Sequence, residues 1–414
     1  LHNNLGNVHK DLGQLDDAIK SYKNALIHNP QYVESHNNLG IALLEIGNHA
    51  GAIESLKKAI LIDSNYIDAH YNLAITLKEV NKTDHAIKSY KKTISLNPNF
   101  AEAHNNLGNL QKNLNQFDDA LKSFERAIEI KPNFAEAHNN LGNVFKDLNQ
   151  LDNALKSYDK AVSLKPAFAE AHNNLGSVFN ALNQQDRAFK SYNKAVSLKP
   201  AFAEAHNNLG NFFKDRNQLE DALKSYEKAK LIKHDLNYVL GNIISTKMNF
   251  CNWEGLSELL SELTKSINKN NKVIDPFTLF SLIDDPALQR KAAEIFTNHH
   301  YARNHALPKL EPYPRHKKIR IGYFSPDFRE HPVSYLIAEL LEVHDRNCFE
   351  IHAFSFGRDT KDEMNMRIKV GVDKFHNVHS MPSKEIAILS RSLEIDIAID
   401  ITGHTANSKT EVFA

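Results

Sequence analysis

The architecture of the first half of the chain can be derived from residues 135–146, which read Ala135-Glu136-Ala137-His138-Asn139-Asn140-Leu141-Gly142-Asn143-Val144-Phe145-Lys146. We predict a helix here, called helix A of its unit. A short turn at residues 148–150 follows, and then a second helix, helix B, which contains Tyr158. Pro166 ends helix B because proline cannot continue a helix. The stretch therefore predicts a pair of helices joined by a short turn.

The same pattern returns at a spacing of 34 residues through the first 230 residues. It is marked by Leu5-Gly6, Leu39-Gly40, Leu73-Ala74, Leu107-Gly108, Leu141-Gly142, Leu175-Gly176 and Leu209-Gly210. Helix pairs with this period are typical of tetratricopeptide repeats. A single unit cannot bury its apolar face alone, so the units stack into an α-solenoid with a long curved surface. Such a surface commonly holds another chain, and we interpret the array as a binding surface.

Three further positions of the repeat predict packing contacts between the helices. An alanine recurs at Ala18, Ala52, Ala86, Ala120, Ala154, Ala188 and Ala222. A large side chain recurs at Tyr22, Leu56, Tyr90, Phe124, Tyr158, Tyr192 and Tyr226. A histidine recurs at His2, His36, His70, His104, His138, His172 and His206, where the repeat consensus carries tryptophan. We expect these histidines to pack, since one imidazole per repeat is poor geometry for a metal site.

The candidate peptide-binding residues form a row that we call the asparagine ladder. Its members are Asn4, Asn38, Asn72, Asn106, Asn140, Asn174 and Asn208. Asparagine is a mediocre helix former, but its amide offers one acceptor and two donors, which match the polar groups of a peptide unit. Stacked helices lie about 8–10 Å apart and three extended residues span about 10 Å, so the ladder fits an extended peptide. The alternative is a solvated row preserved by recent duplication, which the recurrence of asparagine one position earlier supports.

Composition excludes several classes of function. The 414 residues are too many for one ordinary core, so we expect at least two domains. Fifty Lys and Arg residues balance fifty Asp and Glu residues, so a nucleic acid is not an expected partner. No apolar run is long enough to span a membrane. The two isolated cysteines, Cys251 and Cys348, indicate a reducing compartment such as the cytoplasm.

Beyond residue 234 the chain does not continue the 34-residue repeat and has a different sequence pattern. Residues 1–234 are assigned to seven repeats, of which the first is truncated, and residues 235–315 to a helical adaptor with a proline-rich linker. Residues 316–414 alternate strands with helices, which predicts a parallel, partial Rossmann-like α/β lobe. We predict strands at 319–324, 349–356, 375–378 and 395–400, and helices at 334–344 and 383–393. Ligands of such sheets bind at the carboxyl ends of the strands, where polar loops lie at 327–334 and 400–405.

The repeats followed by Arg320-Ile321-Gly322-Tyr323-Phe324-Ser325-Pro326-Asp327-Phe328-Arg329-Glu330-His331-Pro332 resemble the protein O-linked N-acetylglucosamine transferases. The resemblance is to the bacterial branch related to the plant SPINDLY proteins, within glycosyltransferase family 41. Residues 354–357, 400–405 and 411–414 carry further matches. The resemblance implies a two-lobed glycosyltransferase of the GT-B type, of which the last 99 residues are the incomplete first lobe. The second lobe, which binds most of the nucleotide sugar in that family, is absent, so we expect a fragment at both ends that is inactive alone.

The resemblance also implies a reaction and its residues. A serine or threonine hydroxyl of a polypeptide held by the repeats attacks the anomeric carbon of UDP-N-acetylglucosamine, and UDP leaves with inversion, without a cofactor or a required metal. His331 matches the active-site histidine of the family, and Gly403, His404 and Thr405 match an active-site edge. Many relatives carry tyrosine at the position of His404, so we do not expect that residue to be catalytic.

Alternatives remain open for the site and for the function. Without the family match, His331 is better explained as a loop histidine that caps the following helix or packs against Pro332. The whole chain is consistent with a repeat scaffold that binds extended peptides without catalysis. The donor is also open, because SPINDLY relatives transfer fucose from GDP-fucose.

Overall fold

The computed structural model describes residues 1–300, 307, 313, 316–403 and 409–413. The chain divides into two compact units, Leu1–Arg216 and Asn217–Ala414. The first unit is helical throughout. Its helices are α1 His2–Asp11, α2 Leu15–His28, α3 Val33–Glu45, α4 His49–Ile62, α5 Ile67–Glu79, α6 Thr83–Leu96, α7 Ala101–Asn113, α8 Phe117–Ile130, α9 Ala135–Asp147, α10 Leu151–Leu164, α11 Ala169–Ala181, α12 Gln185–Leu198 and α13 Ala203–Lys214.

Helix A and helix B of a repeat approach closely because small residues face large ones. The recurring alanines of helix B are fully buried, and so is Tyr158. The recurring glycine of helix A lies against this large side chain. A Cβ atom added to Gly142 would stand 2.7 Å from the ring of Tyr158, so a larger residue there would require the ring to shift. The packing positions predicted from the 34-residue period are therefore confirmed.

The turn between helix A and helix B depends on a residue with left-handed backbone geometry. Its φ angle is +72° at Gly13 and +77° at Gly47, and it lies between +57° and +58° in the later repeats. The residues there are Asn81, Asn115, Asn149, Asn183 and Asn217. Glycine and asparagine are the residues that adopt this conformation most readily. Backbone sterics therefore explain why glycine or asparagine occupies this position.

The recurring histidines do more than pack. From the second repeat onward, Nε2 of each histidine lies 2.9–3.1 Å from a backbone carbonyl oxygen six residues earlier. The pairs are His36–Pro30, His70–Ser64, His104–Pro98, His138–Pro132, His172–Pro166 and His206–Pro200. Each imidazole donates its Nε2–H to the turn that leads into helix A, and burial lowers the pKa of His104 and His138. The histidine thus fixes the join between successive repeats.

The second unit begins with helices and ends with a small sheet. The helices are α14 Leu219–Ile232, α15 Val239–Asn249, α16 Leu256–Asn268, α17 Pro276–Phe280 and α18 Pro286–His300. Then follow β1 Ile319–Ser325, α19 Pro332–Val343, β2 Phe349–Ser355, α20 Glu363–Gly371, β3 Lys374–Asn377, α21 Ser383–Ser392, β4 Ile397–Asp400 and a 3-10 turn at Thr410–Phe413. The domain boundaries drawn from the sequence stay a prediction.

The sheet is parallel, with the strand order β3-β2-β1-β4. Ile321 and Tyr323 of β1 pack with α19 and α20 on one face, whereas Phe324 packs with Phe354 and with Ile386 of α21 on the other. Both faces are covered, as in a doubly wound sheet. The predicted fold class, an α-solenoid followed by a partial α/β lobe, is confirmed. Helix α20 was not predicted.

Candidate functional site

The direction in which successive strands are added to the sheet reverses at β1, because β2 and β3 extend from one side of β1 and β4 pairs with its other side. The loops that leave these two strands lie side by side. The backbone N–H of Ile401 donates to the carbonyl oxygen of Phe324 at 3.3 Å. The hydroxyl of Thr402 lies 3.4 Å from that of Ser325. A crevice at such a switch point is the usual ligand site of an open parallel sheet.

The loop after β1 is held by hydrogen bonds to its own backbone. The N–H of Asp327 donates to Oγ of Ser325 at 3.0 Å, and the hydroxyl of Ser334 donates to the carbonyl oxygen of Asp327. Nδ2 of Asn365, on α20, donates to the carbonyl oxygen of Phe328 at 2.6 Å. Asn365 is 1% exposed, so this bond is well shielded from water. The loop is consequently a preformed support for the residues it carries.

His331 lies at the end of this loop and caps α19. Its Nδ1 accepts a hydrogen bond from the backbone N–H of Val333 at 3.3 Å. The capping role that the sequence left open is therefore present. An acceptor at Nδ1 places the proton of the neutral imidazole on Nε2. Since the side chain is 34% exposed, the ring remains accessible from solvent while it caps the helix.

A carboxylate accompanies this imidazole. Oδ2 of Asp327 lies 3.8 Å from Nδ1 of His331, which exceeds a hydrogen-bond distance. Oδ1 of the same carboxylate accepts from the guanidinium of Arg329 at 3.3 Å. Asp327 is thus an electrostatic neighbour of the imidazole and is itself oriented by a cation.

The loop after β4 turns around a single carboxylate. Oδ1 of Asp400 accepts from the N–H of Thr402 at 2.9 Å and from that of Gly403 at 3.1 Å. Gly403 has a φ angle of +60°, in the left-handed region that favours glycine. His404 and Thr405 lie outside the described residues. Of the predicted active-site edge, Gly403 is therefore the member that the structure places at the switch point.

Sequence reasoning missed several residues that shape this site. Gly357 follows β2, and a Cβ atom there would stand 1.9 Å from the carbonyl oxygen of Pro326. The loops after β1 and β2 therefore touch through their backbones. Ser325 and Asn365 were missed as residues that hold the loops, and Asp400 was placed at the start of a polar loop without its role in the turn. A signal was available for Asp400, since an aspartate two residues before a backbone turn commonly accepts from it.

The asparagine ladder forms hydrogen bonds along the first unit. In each repeat after the first, Nδ2 of the ladder residue donates to a side chain of the preceding repeat at 2.9–3.2 Å. The donor–acceptor pairs are Asn38–Asn3, Asn72–Asn37, Asn106–Tyr71, Asn140–Asn105, Asn174–Asn139 and Asn208–Asn173. The ladder is therefore also a structural link between repeats, a role that we had not assigned to it.

The ladder keeps part of its hydrogen-bonding capacity. Asn38 and Asn174 each contact a second acceptor, Asn7 and Asn143, both at 3.1 Å. Within the described part of the chain, Asn72 shows one acceptor and so retains an N–H. The ladder residues from the second repeat on are half-buried, whereas Asn4 is exposed. The ladder as a peptide site stays a prediction, now with the amides held in fixed orientations.

Comparison with family profiles divides the chain in the same way. Tetratricopeptide repeat profiles match in segments between residues 6 and 234. The profile described as glycosyl transferase family 41 matches residues 293–414. The second match includes β1, β4 and both loops of the candidate site.

Curated proteins similar to the chain have printed names that describe peptide glycosylation. A probable UDP-N-acetylglucosamine–peptide N-acetylglucosaminyltransferase SEC of Arabidopsis thaliana is 29% identical over 42% of this chain and 19% of its own length. A probable enzyme of the same activity, SPINDLY of Oryza sativa subsp. japonica, is 34% identical over 26% of this chain and 11% of its own length. The chain thus spans less than a fifth of the length of these relatives.

A solved structure supports the repeat fold. A tetratricopeptide repeat protein from Parabacteroides merdae aligns with a TM-score of 0.51 at 19% identity, covering 59% of this chain and 97% of its own. At this identity the likeness concerns the fold alone. Among the helices of the described residues, none combines the length and apolar character that crossing a bilayer requires.

Proposed function

Since the chain belongs to the O-linked N-acetylglucosamine transferase family, with a repeat array ahead of the start of the family 41 catalytic region, we propose that it is part of a protein O-glycosyltransferase. The donor is UDP-N-acetylglucosamine, and the acceptor is a serine or threonine of a polypeptide held by the asparagine ladder. We assign it to a reducing compartment, the cytoplasm, on the two isolated cysteines.

The proposed step is a direct displacement. The acceptor hydroxyl oxygen forms a bond to the anomeric carbon while the bond from that carbon to the diphosphate oxygen breaks. UDP departs with the bonding electrons, the hydroxyl proton is released to a base or to water, and the configuration inverts. Because negative charge develops on the leaving diphosphate, catalysis needs positioned hydrogen-bond donors there.

The observation that carries the proposal is the position of His331 in the loop that follows β1, the strand whose carboxyl end adjoins the loop after β4. The cap at Nδ1 leaves an N–H on Nε2, which suits donation to an anionic oxygen. Accepting a proton at Nε2 would require the other tautomer, which cannot accept from Val333. The geometry therefore favours His331 as a hydrogen-bond donor to the phosphate or sugar over a role as the base.

Two substitutions of His331 in the full-length protein of the source gene separate catalysis from capping. Asparagine is a preferred N-cap residue, so we expect His331→Asn to keep the stability of the lobe. We expect both His331→Asn and His331→Ala to lower kcat about 100-fold or more, the usual cost of losing one active-site donor. The measurements are sugar transfer to a serine-containing peptide and the thermal unfolding midpoint. Full activity of His331→Asn would show that the histidine only caps the helix.

The same assay tests which sugar donor is used and whether residues 1–414 alone transfer sugar. Transfer from UDP-N-acetylglucosamine but not from GDP-fucose supports the proposed donor, and the reverse replaces it with the fucose alternative. Because the chain spans less than a fifth of its relatives, we expect residues 1–414 alone to bind peptide without turnover. Robust transfer by the purified 414-residue chain would contradict that expectation.

A further inference from the structure

The inner face of helix A, by which we mean the face that carries the asparagine ladder, changes in the second and third repeats. Three positions after the ladder residue, the other repeats carry Asn7, Asn109, Asn143, Ser177 and Asn211. The second and third repeats carry Ile41 and Ile75 there instead. Both isoleucines are half-buried, so each leaves apolar surface open to solvent. We call Ile41 and Ile75 the apolar step.

The apolar step lies beside the ladder amides. In the first repeat the residue at this position, Asn7, accepts from the next ladder residue, and in the fifth repeat Asn143 does the same. By the same repeat geometry, Ile41 lies beside Asn72 and Ile75 lies beside Asn106. An isoleucine offers no acceptor. Among the residues that the structure describes, the amide of Asn72 donates to Asn37, whereas that of Asn106 donates to Tyr71 and also interacts with the hydroxyl of Tyr90.

The two helices that carry the apolar step have an excess of carboxylates. Helix α3 contains Glu34 and Glu45 but no lysine or arginine, and α5 contains Asp68 and Glu79 with one lysine, Lys78. These two helices therefore carry four carboxylates and one lysine, and Glu79 lies 3.6 Å from Nδ1 of His49.

The carboxylates in the first turn of helix A are paired in later repeats but not here. Lys131, Lys165 and Lys199 bridge the first-turn glutamates of α7, α9 and α11 at 2.7–2.9 Å. The positions of those lysines hold Asp63 and Asn97 next to the second and third repeats. Within the described ranges, neither Glu34 nor Asp68 has a lysine or arginine nitrogen within 4.0 Å. No lysine or arginine of the described residues therefore neutralises their charge, although Glu34 interacts with the hydroxyl of Tyr32.

We propose that the second and third repeats select an extended peptide segment in which an apolar side chain is flanked by lysine or arginine. The inference rests on the proposed function, because the ladder must first hold the peptide backbone. The remaining N–H of Asn72 binds a peptide carbonyl oxygen, and the apolar side chain lies on Ile41 and Ile75. The neighbouring carboxylates attract the flanking cations, which suppresses segments with acidic flanks.

The test uses three fluorescent peptides of equal length in one glycine- and serine-rich background. Their central residues are Lys-Leu-Lys, Lys-Ser-Lys and Glu-Leu-Glu, and binding to the 414-residue chain is measured by fluorescence anisotropy. We expect the Lys-Leu-Lys peptide to bind about five- to tenfold more tightly than either of the others, from partial burial of one leucine side chain and from the carboxylates. The double variant Ile41→Asn/Ile75→Asn installs the residue of the fifth repeat, so it is compatible with the fold. In this variant the Lys-Leu-Lys and Lys-Ser-Lys peptides should bind with about the same affinity.

Two control variants separate the contribution of the apolar step to peptide binding from that of the asparagine ladder. Ser177→Asn changes the same position in the sixth repeat. It should leave the affinity of the Lys-Leu-Lys peptide relative to the Lys-Ser-Lys peptide unchanged. Asn72→Ala should weaken the binding of all three peptides by a similar factor. The proposed role of the apolar step would be overturned if the leucine and serine peptides bound equally well while the ladder variant still weakened both. Peptide binding by the asparagine ladder would then still stand. If no peptide bound the wild-type chain, the proposed peptide binding by the asparagine ladder would itself be overturned.

Discussion

At the scale of single residues, the left-handed turn between helix A and helix B sets the geometry of each repeat. The fifth repeat places Asn149 there, with a φ angle of +57°. We expect Asn149→Ala to lower the free energy of unfolding by about 1 kcal/mol, because a Cβ atom without a polar group disfavours this conformation. Asn149→Gly should be neutral or slightly stabilising. Urea denaturation followed by circular dichroism measures both.

An exposed helical site in the same repeat provides the control for this turn. Lys156 lies on the exposed side of α10, and Lys156→Ala should change the free energy of unfolding by less than about 0.5 kcal/mol. If Asn149→Ala behaves like Lys156→Ala, the left-handed geometry is not what selects asparagine at this position.

The ladder asparagines show that one residue can serve structure and binding together. Each amide after the first repeat donates to the preceding repeat, and Asn72 retains an N–H for a ligand. The two alternatives considered from the sequence, a peptide clamp and a solvated row, were therefore incomplete. A conserved inter-repeat bond gives a third reason for asparagine to recur, and it also fixes the amide before a peptide arrives.

At the scale of elements, a pair of histidines joins β2 to β3. Nδ1 of His352 lies 3.1 Å from Nε2 of His376, and the ring of His376 stacks on Phe354 with centroids 4.6 Å apart. Burial lowers the pKa of His352, and it lowers that of His376 from 6.5 to about 4. Glu350 next to His352 favours its protonation, whereas Lys374 opposes protonation of both rings.

This pair predicts a loss of stability in acid. Below a pH of about 6.5 the unfolded chain takes up protons that the folded lobe refuses, so the free energy of unfolding falls as the pH falls towards about 4. We expect His376→Phe to make the lobe less sensitive to pH over this range. Urea denaturation at about pH 7 and about pH 5 measures the difference between the two proteins. An unchanged pH dependence in His376→Phe would show that this imidazole does not resist protonation.

Most elements were predictable because their signals are local. The 34-residue period located both helices of every repeat, and alternating apolar strands with intervening helices located the sheet. Helix α20 was missed because Glu363–Gly371 has no clear apolar stripe. Its start did carry a signal, since Asp362 accepts from the N–H of Asn365 as an N-cap residue.

The contacts that the sequence could not supply join distant residues. The carbonyl partner of each repeat histidine, the amide partner of each ladder asparagine and the approach of Gly357 to Pro326 depend on the folded backbone. The candidate site shows the same division. The position of His331 after β1 followed from strand alternation and from family resemblance, but its bond to Val333 required coordinates.

At the scale of the whole molecule, the division into two compact units has a consequence for unfolding. Each unit has its own buried clusters, such as Tyr158 with Tyr192 in the first and Ile321 with Leu341 in the second. Solenoid repeats contact mainly their neighbours, whereas the sheet is held by pairing between strands distant in sequence. We therefore expect two unfolding transitions, each responding to substitutions in its own unit.

Two glycine substitutions test this expectation. Gly142→Ala places a methyl group against Tyr158 in the first unit, and Gly357→Ala places one against the backbone of Pro326 in the second. Each should cost about 1–3 kcal/mol, as overpacking commonly does, with Gly357→Ala at the upper end because backbone must move. Differential scanning calorimetry should show each variant lowering a different transition. If both variants lower one shared transition, the units unfold as a single cooperative body, and stress in the repeats then reaches the loop that carries His331.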